Sequence, residues 1–302
     1  MEALSFLTPS AMNTKTKMRW QGNDNKPKFI PATGLQLKTS AKLSARAEIL
    51  NNKREIAASS TPQPLREKIM KQLDKGILLE NGFVFRQNFT VRSFEIGIDS
   101  KISLGTLTNY LQETSLNHQK GLGLLADGFG SSPKLIPRDL IWVVCWSRIE
   151  VDHYPSWGDV MQVDTWKYRS GKSGYGCNWH IRDFNTGKTL MRATSLYVMM
   201  NKKTRRFAKI DEEIREELKP CITDSDPMLP NNNRKIIKLN IDNADHVRTG
   251  LMPGWTDMDI NRHVSHIKLL NYVLEGVPCS IIQSHELSEM FLEYRNECNG
   301  DR

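Results

Sequence analysis

The feature that most constrains this chain is a single long amphipathic helix followed by four strand candidates in succession. Leu104, Leu107, Leu111 and Leu116 recur at helical spacing, with Ser103 placed to cap the start. Gly121 and Gly123 stop the helix, and a loop carrying Asp127-Gly128-Phe129-Gly130-Ser131-Ser132-Pro133 leads away from it. The strand candidates are Leu140 to Val151, Val160 to Tyr168, Tyr175 to Asp183 and Thr189 to Met199. Pro155 with Gly158, Gly171 with Gly174, and Asn185-Thr186-Gly187 mark the turns between them. Trp142, Val144, Trp146, Arg148 and Glu150 show the period of two that a half-buried strand needs. Ahead of the helix, Phe83, Phe85, Phe89, Val91 and Phe94 interleave with Arg86, Asn88 and Arg92, which reads as one further strand.

A strand, a long helix and then an antiparallel meander is the order of a hotdog domain. The sheet wraps the helix and buries its apolar side without a second sheet. The same opening returns about 160 residues later: strand character at Ile236 to Leu239 and near His246 to Leu251 precedes a second helix. Val264, Ile267, Leu270 or Asn271, and Leu274 mark that helix, which should end near Gly276-Val277-Pro278. The expected architecture is α+β, with tandem hotdog domains of which the second is incomplete. The boundaries are a leader over 1–60, a first domain over 76–212, a linker over 213–234 and a partial second domain over 235–302. The linker reading rests on the charged stretch Asp211 to Lys219 and on Pro220, Pro227 and Pro230. After Phe291 to Arg295 only the residues 296–302 remain. The second helix is therefore expected to expose its apolar stripe beside unpaired strand edges, unless another chain covers them.

Residues 1–50 hold only Glu2, Asp24 and Glu48 as acids, against Lys15, Lys17, Arg19, Lys26, Lys28, Lys38, Lys42 and Arg46. With abundant Ser, Thr and Ala, this leader fits an organelle transit peptide, the lesser alternative being an ordinary disordered tail. No apolar run approaches the ~18 residues of a membrane span, so a transmembrane chain is not expected. The formal charge of +8 suits a negative partner without naming it. Cys145, Cys177, Cys221, Cys279 and Cys298 are odd in number and none is spaced C-x-x-C. They support neither a disulfide framework nor a zinc knuckle, and no metal or cofactor is expected.

The densest polar constellation is Asp257-Met258-Asp259-Ile260-Asn261-Arg262-His263, at the entry to the second helix. An extended backbone would point Asp259, Asn261 and His263 the same way. A histidine, an amide and a carboxylate together can orient a water and stabilise an oxyanion. The bland readings are helix capping for Asp259 and a hydrogen-bonded structural role for His263. Glu297 can act as a general base and Cys298 as a thiolate nucleophile, or both can belong to a frayed chain end. The run Lys202-Lys203-Thr204-Arg205-Arg206 can bind phosphates or an acidic protein, or be a solvated loop. It lacks the interleaved aromatics of a single-strand nucleic-acid platform, and no nucleic-acid partner is expected.

From Phe83 to Arg206 the chain resembles the plant acyl-acyl carrier protein (ACP) thioesterases of the FatB type. The resemblance is carried by Arg86-Gln87-Asn88-Phe89, Arg92-Ser93-Phe94-Glu95-Ile96-Gly97, Leu111-Gln112-Glu113-Thr114 and Asn117-His118. It continues through Asp127-Gly128-Phe129-Gly130, Leu140-Ile141-Trp142-Val143, Tyr154-Pro155-Ser156-Trp157-Gly158-Asp159 and Val198-Met199-Met200-Asn201-Lys202. It implies two hotdog domains, a plastid transit peptide, a location in the chloroplast stroma, and hydrolysis of acyl-ACP to free fatty acid and ACP. It implies that Asp259, Asn261 and His263 are the catalytic Asp, Asn and His, and that Glu297 and Cys298 are the catalytic Glu and its neighbouring Cys. Lys202, Lys203, Arg205 and Arg206 become the contacts for an ACP bearing acyl-phosphopantetheine, and a homodimer is compatible with the resemblance. Three departures stand out: Ser265-His266 where the family has two asparagines, Gly254 where it has an arginine, and Asn296 where it has another. Because the family continues well past its Glu-Cys pair, a chain ending at Arg302 is expected to hydrolyse weakly, or to act as an impaired acyl-ACP or lipid-binding protein.

Overall fold

A computed structural model describes residues 6–7, 14–22, 75–126, 131–231 and 246–295. In chain order the strands and helices are β1 (Phe6–Leu7), β2 (Thr14–Gly22), β3 (Ile77–Leu79), β4 (Val84–Thr90), α1 (Leu104–Gly121), β5 (Leu140–Val151), β6 (Val160–Ser170), β7 (Gly174–Asp183) and β8 (Thr189–Asn201). Then come α2 (Glu212–Leu218), β9 (Ile222–Thr223), β10 (His246–Val247), α3 (His266–Glu275), α4 (Cys279–Ser284) and β11 (His285–Tyr294). One large sheet runs β2-β11-β5-β8-β7-β6-β4-β3, with β9 added beside β6, and β1 pairs separately with β10. Neighbours along the main path are antiparallel.

The helix and meander follow the sequence pattern closely. Ser103 Oγ accepts from the Thr106 N–H at 3.1 Å and caps α1. Leu104, Leu107 and Leu111 are buried on the sheet among Val163, Trp179 and Ile181. The period of two in β5 does not run its full length, because the register shifts between Val144 and Trp146. Phe85, Phe89 and Val91 are buried as the alternation requires. Phe94 has left the strand and is 77% exposed in the short turn Ser93–Glu95.

Three segments differ from the sequence reading. Asp211 to Lys219, read as connector, contains α2, whose first turn is capped by Asp211 accepting from the Ile214 N–H at 3.0 Å. Ile214 and Leu218, four apart, bury against Leu135 and Met199 of the first half, so α2 crosses the 212/213 boundary. Thr14–Gly22, placed inside the leader, is an edge strand here. Finally, α3 does not expose its apolar stripe: Ile267, Leu269, Leu270 and Val273 are all buried. The reason is that β11 joins β5 directly, so α3 lies beside α1 over one continuous sheet. The two helices approach at Gly105, where an added Cβ would sit 2.1 Å from Asn271 Oδ1. The strand character at Ile236 to Leu239 and the loop at 127–130 lie outside the described residues. Among the described residues, no helix is long and apolar enough to cross a membrane.

One buried histidine makes the fold acid-sensitive. His118 is fully buried on α1; its Nε2–H donates to the Gly82 carbonyl at 2.7 Å. Nδ1, left as acceptor, faces Lys167 Nζ at 3.4 Å. Burial, then the Lys167 charge, push the ring down to about 3 against the pull of Gly82. The unfolded chain binds this proton near 6.5, so below that pH protonation favours unfolding, and stability falls as pH drops toward 3. Denaturant unfolding near pH 5 should show about 2 kcal/mol less stability from this group than near pH 8. A His118→Gln variant, which keeps a donor for Gly82, should lose that part of the pH dependence; an unchanged profile would refute the assignment.

Candidate active site

The polar motif forms a tight loop between the turn Trp255–Asp257 and α3. Met258 and Val264 close it as an antiparallel bridge, and the Asp259 N–H donates to the His263 carbonyl at 2.7 Å. Asp259 turns its carboxylate back onto the backbone. Oδ1 accepts from the N–H of Asn261 at 2.8 Å and from that of His263 at 3.2 Å. Arg262, between them, holds a φ of 63°, a left-handed conformation that a non-glycine residue adopts only where its surroundings fix it. The three residues are thus gathered by a turn rather than aligned along an extended strand. Asp257 anchors the loop to α3: Oδ2 accepts from the Tyr272 hydroxyl at 2.6 Å and the Gly254 N–H at 2.8 Å. That hydroxyl bond, then the Gly254 N–H, hold its carboxyl below the usual range.

A second turn, far away in sequence, faces the loop. The Asn201 side chain accepts from the N–H groups of Lys203 and Thr204 and folds the end of β8 into a hairpin. Arg205 has a φ of 57° there, and its positive charge acts on both Asp259 and His263. Burial first, and then Arg205, lower the His263 ring below its ordinary range. A neutral imidazole at neutral pH is the form that accepts a proton.

Loop and hairpin share one cavity of about 390 Å³, lined by Asp259, Asn261, His263, Lys202 and Arg205. Its other walls come from α1 (Gln112, Ser115, Leu116, Gln119), from Ile141 to Val144 of β5, and from Tyr175 and Tyr197. Tyr175 stacks on Tyr197 at 5.2 Å between ring centres and meets Trp142 edge-on at 4.7 Å. This part of the wall is therefore an aromatic cluster, flanked by aliphatic residues of β5 and polar residues of α1. Of the other basic candidates, Lys203 donates to Asp139 at 2.6 Å and is largely exposed, and neither it nor Arg206 lines the cavity. Glu297 and Cys298 lie outside the described residues.

The sequence reading missed the α1 polar face, the tyrosine pair and His266. His266 lines the cavity edge-on to Tyr294, 6.0 Å between ring centres, and burial brings its ring down to about 4. Its position three residues beyond His263 was the available clue. Gln112, Ser115 and Gln119 follow helical spacing, which marks a shared face but not what that face meets.

Helix-on-sheet halves joined through β5 and β11 make this a double-hotdog protein. The Acyl-ACP thioesterase N-terminal domain model matches residues 82–218, and the C-terminal domain model matches residues 240–302. A chloroplastic palmitoyl-acyl carrier protein thioesterase of Arabidopsis thaliana is 51% identical over 226 residues, covering 75% of this chain and 55% of that protein. A chloroplastic acyl-[acyl-carrier-protein] hydrolase of Cuphea viscosissima is 40% identical over 319 residues, covering 91% of this chain and 77% of the relative. Among solved structures, the 12:0-ACP thioesterase from Umbellularia californica aligns with a TM-score of 0.70 at 42% identity, covering 73% of this chain and 80% of that one. An acyl-ACP thioesterase from Bacteroides thetaiotaomicron, at 23% identity and a TM-score of 0.60, shares the fold. The chain belongs to the acyl-ACP thioesterase family, of the plant FatB type. It spans about half the length of several curated relatives it matches, 55% for the Arabidopsis protein.

Proposed function

We propose that this chain hydrolyses the thioester of acyl-ACP in plastids, releasing free fatty acid and ACP. The observation that carries the reading is the single cavity in which the motif loop, the basic hairpin and the aromatic wall meet. The acyl chain lies along Tyr175, Tyr197 and Trp142, where each buried CH₂ contributes about 0.8 kcal/mol. The phosphopantetheine and the acidic carrier surface approach past Lys202 and Arg205, with Lys203 and Arg206 at the outer rim. His263, with Glu297, takes a proton from water as the water oxygen attacks the thioester carbonyl carbon. Asn261 donates to the oxygen that gains charge, the C–S bond breaks, and the thiolate recovers the proton. Asp259 positions the loop and takes no part in bond making. Cys298 is not needed as a nucleophile in this scheme. The basic leader and the chloroplastic names of the relatives support the plastid location.

Thiol release from palmitoyl-ACP tests the reading. The wild-type chain should turn over, Asn261→Ala should lose about 10²–10³-fold, and His263→Ala about 10²–10⁴-fold. Equal rates for all three would remove the mechanism. Binding of acyl-ACP without turnover by the wild-type chain would instead make it a binding module.

A further inference from the structure

Beside the cavity lies a second, smaller space of about 20 Å³, enclosed by α1, α3 and the sheet. Gln112, Tyr197, His266 and Tyr294 line both spaces, so they stand between them. A space of this size takes one oxygen atom, which needs about 10–15 Å³, and cannot take a further stretch of acyl chain.

The polar groups around the small space can be accounted for one by one. The Thr108 hydroxyl donates to the Gly105 carbonyl at 2.8 Å, and Ser147 and Ser195 share a hydrogen bond of 2.8 Å. The Trp179 indole N–H donates to the Leu111 carbonyl at 2.8 Å, and the Tyr294 hydroxyl to the His266 carbonyl at 3.3 Å. Three side chains remain. The Gln112 amide, the Tyr197 hydroxyl and the His266 imidazole have no hydrogen-bond partner among the described residues. Ser115 and Gln119, on the same helix and in the same cavity, differ in this respect: they meet Cys177 Sγ at 3.8 Å and the Tyr175 hydroxyl at 3.5 Å. Polar groups set into a protein are almost always paired, so three that border one small space mark a place for a ligand atom that hydrogen-bonds.

The chemistry of that atom follows from the three groups. Burial keeps the His266 ring neutral at neutral pH, and it then offers one donor and one acceptor nitrogen. A phenol and a carboxamide also both donate and accept. A hydroxyl uses both kinds of partner, whereas a methylene leaves all of them unpaired. The position follows from the motif loop. His266 stands three residues beyond His263, and the Asp259 carboxylate acts on both rings. The small space therefore lies close to the reacting carbonyl, and carbon 3 is the first acyl carbon whose substituent clears that carbonyl.

Taking acyl-ACP hydrolysis as the reaction, we propose that Gln112, Tyr197 and His266 form a side pocket for a hydroxyl on carbon 3 of the acyl chain, which makes 3-hydroxyacyl thioesters a further class of substrate. The bonds made and broken are those of the reaction above. Water adds to the carbonyl carbon, the C–S bond breaks, and a 3-hydroxy fatty acid and the carrier thiol leave.

Two thioether mimics of phosphopantetheine test the pocket by binding, without turnover: one S-hexadecyl, the other S-(3-hydroxyhexadecyl). Calorimetry on the full chain should give the hydroxylated mimic an affinity about tenfold higher. Tyr197→Phe, which removes one oxygen and keeps the ring, should cut that ratio at least about threefold, and Gln112→Leu should do the same from the helix side. Equal affinities in the wild-type chain, or an unchanged ratio in both variants, overturns the proposal. Turnover separates it from the reading it rests on: 3-hydroxypalmitoyl-ACP should exceed palmitoyl-ACP in kcat/KM. A chain that binds with the expected preference and hydrolyses neither keeps the pocket and loses the hydrolase reading.

Discussion

Asp259→Ala will lower fatty acid release by about a hundredfold, chiefly through kcat, and Asp259→Asn will keep most of the activity. The carboxylate oxygen Oδ1 collects two backbone N–H groups, those of Asn261 and His263, and so sets the curvature of the loop that carries both side chains. Alanine leaves those donors without their acceptor and frees the left-handed turn at Arg262. A displacement of about 1 Å at the reacting groups is enough for a loss of this size. An asparagine side chain still offers a carbonyl oxygen at the same place, so the geometry survives although the charge does not. If Asn and Ala lower kcat equally, the charge of Asp259 beside Arg205 matters more than the shape of the loop, and the positioning role is wrong.

Asp164→Ala should be the most damaging single change to the fold outside the apolar core. Its carboxylate takes Arg86 in two bonds, 2.6 Å from Nε and 2.8 Å from Nη2, and Arg182 besides. The three strands involved, β4, β6 and β7, are neighbours in the sheet, so one side chain ties three adjacent strands together. Asp164 is only 10% exposed, whereas the arginines are 31% and 26% exposed and keep some water. Removing the carboxylate strands two partly desolvated guanidinium groups, and the lower end of the usual penalty applies, about 3 kcal/mol. Urea unfolding of the variant measures it directly. A loss below about 1 kcal/mol would put this network with ordinary surface pairs.

The sequence carried the first half of the fold because two periodicities dominate it. Leucines at helical spacing place α1, and the strands from β5 to β8 lie between glycine and asparagine turns that leave little freedom for their ends. What stayed hidden was decided by partners distant in sequence. Thr14 to Gly22 carries only Met18 and Trp20 as apolar residues, and it becomes a strand by pairing along β11, more than 260 residues on. The apolar stripe of α3 looks exposed when the second half is imagined alone, and it is buried because β11 extends the sheet of the first. At the site, the Asp259-Asn261-His263 cluster was legible as a dense polar motif, and Lys202 and Arg205 as a basic run. Their meeting in one cavity was not, since no spacing rule links a hairpin at the end of β8 to a loop before α3. The same applies to Tyr175 and Tyr197, which read as ordinary strand aromatics until β7 and β8 pair them.

The most direct test of the account is the position of a bound substrate mimic, an S-hexadecyl thioether of phosphopantetheine that cannot be hydrolysed. In a crystal structure of the complex, the sulfur and adjoining carbon should lie beside the Asn261 and His263 side chains. The chain should run along Tyr175 and Tyr197, and the phosphate should lie by Lys202 and Arg205. A mimic seated elsewhere, for instance in the cleft between Trp20 and His153 with the motif loop empty, would contradict it.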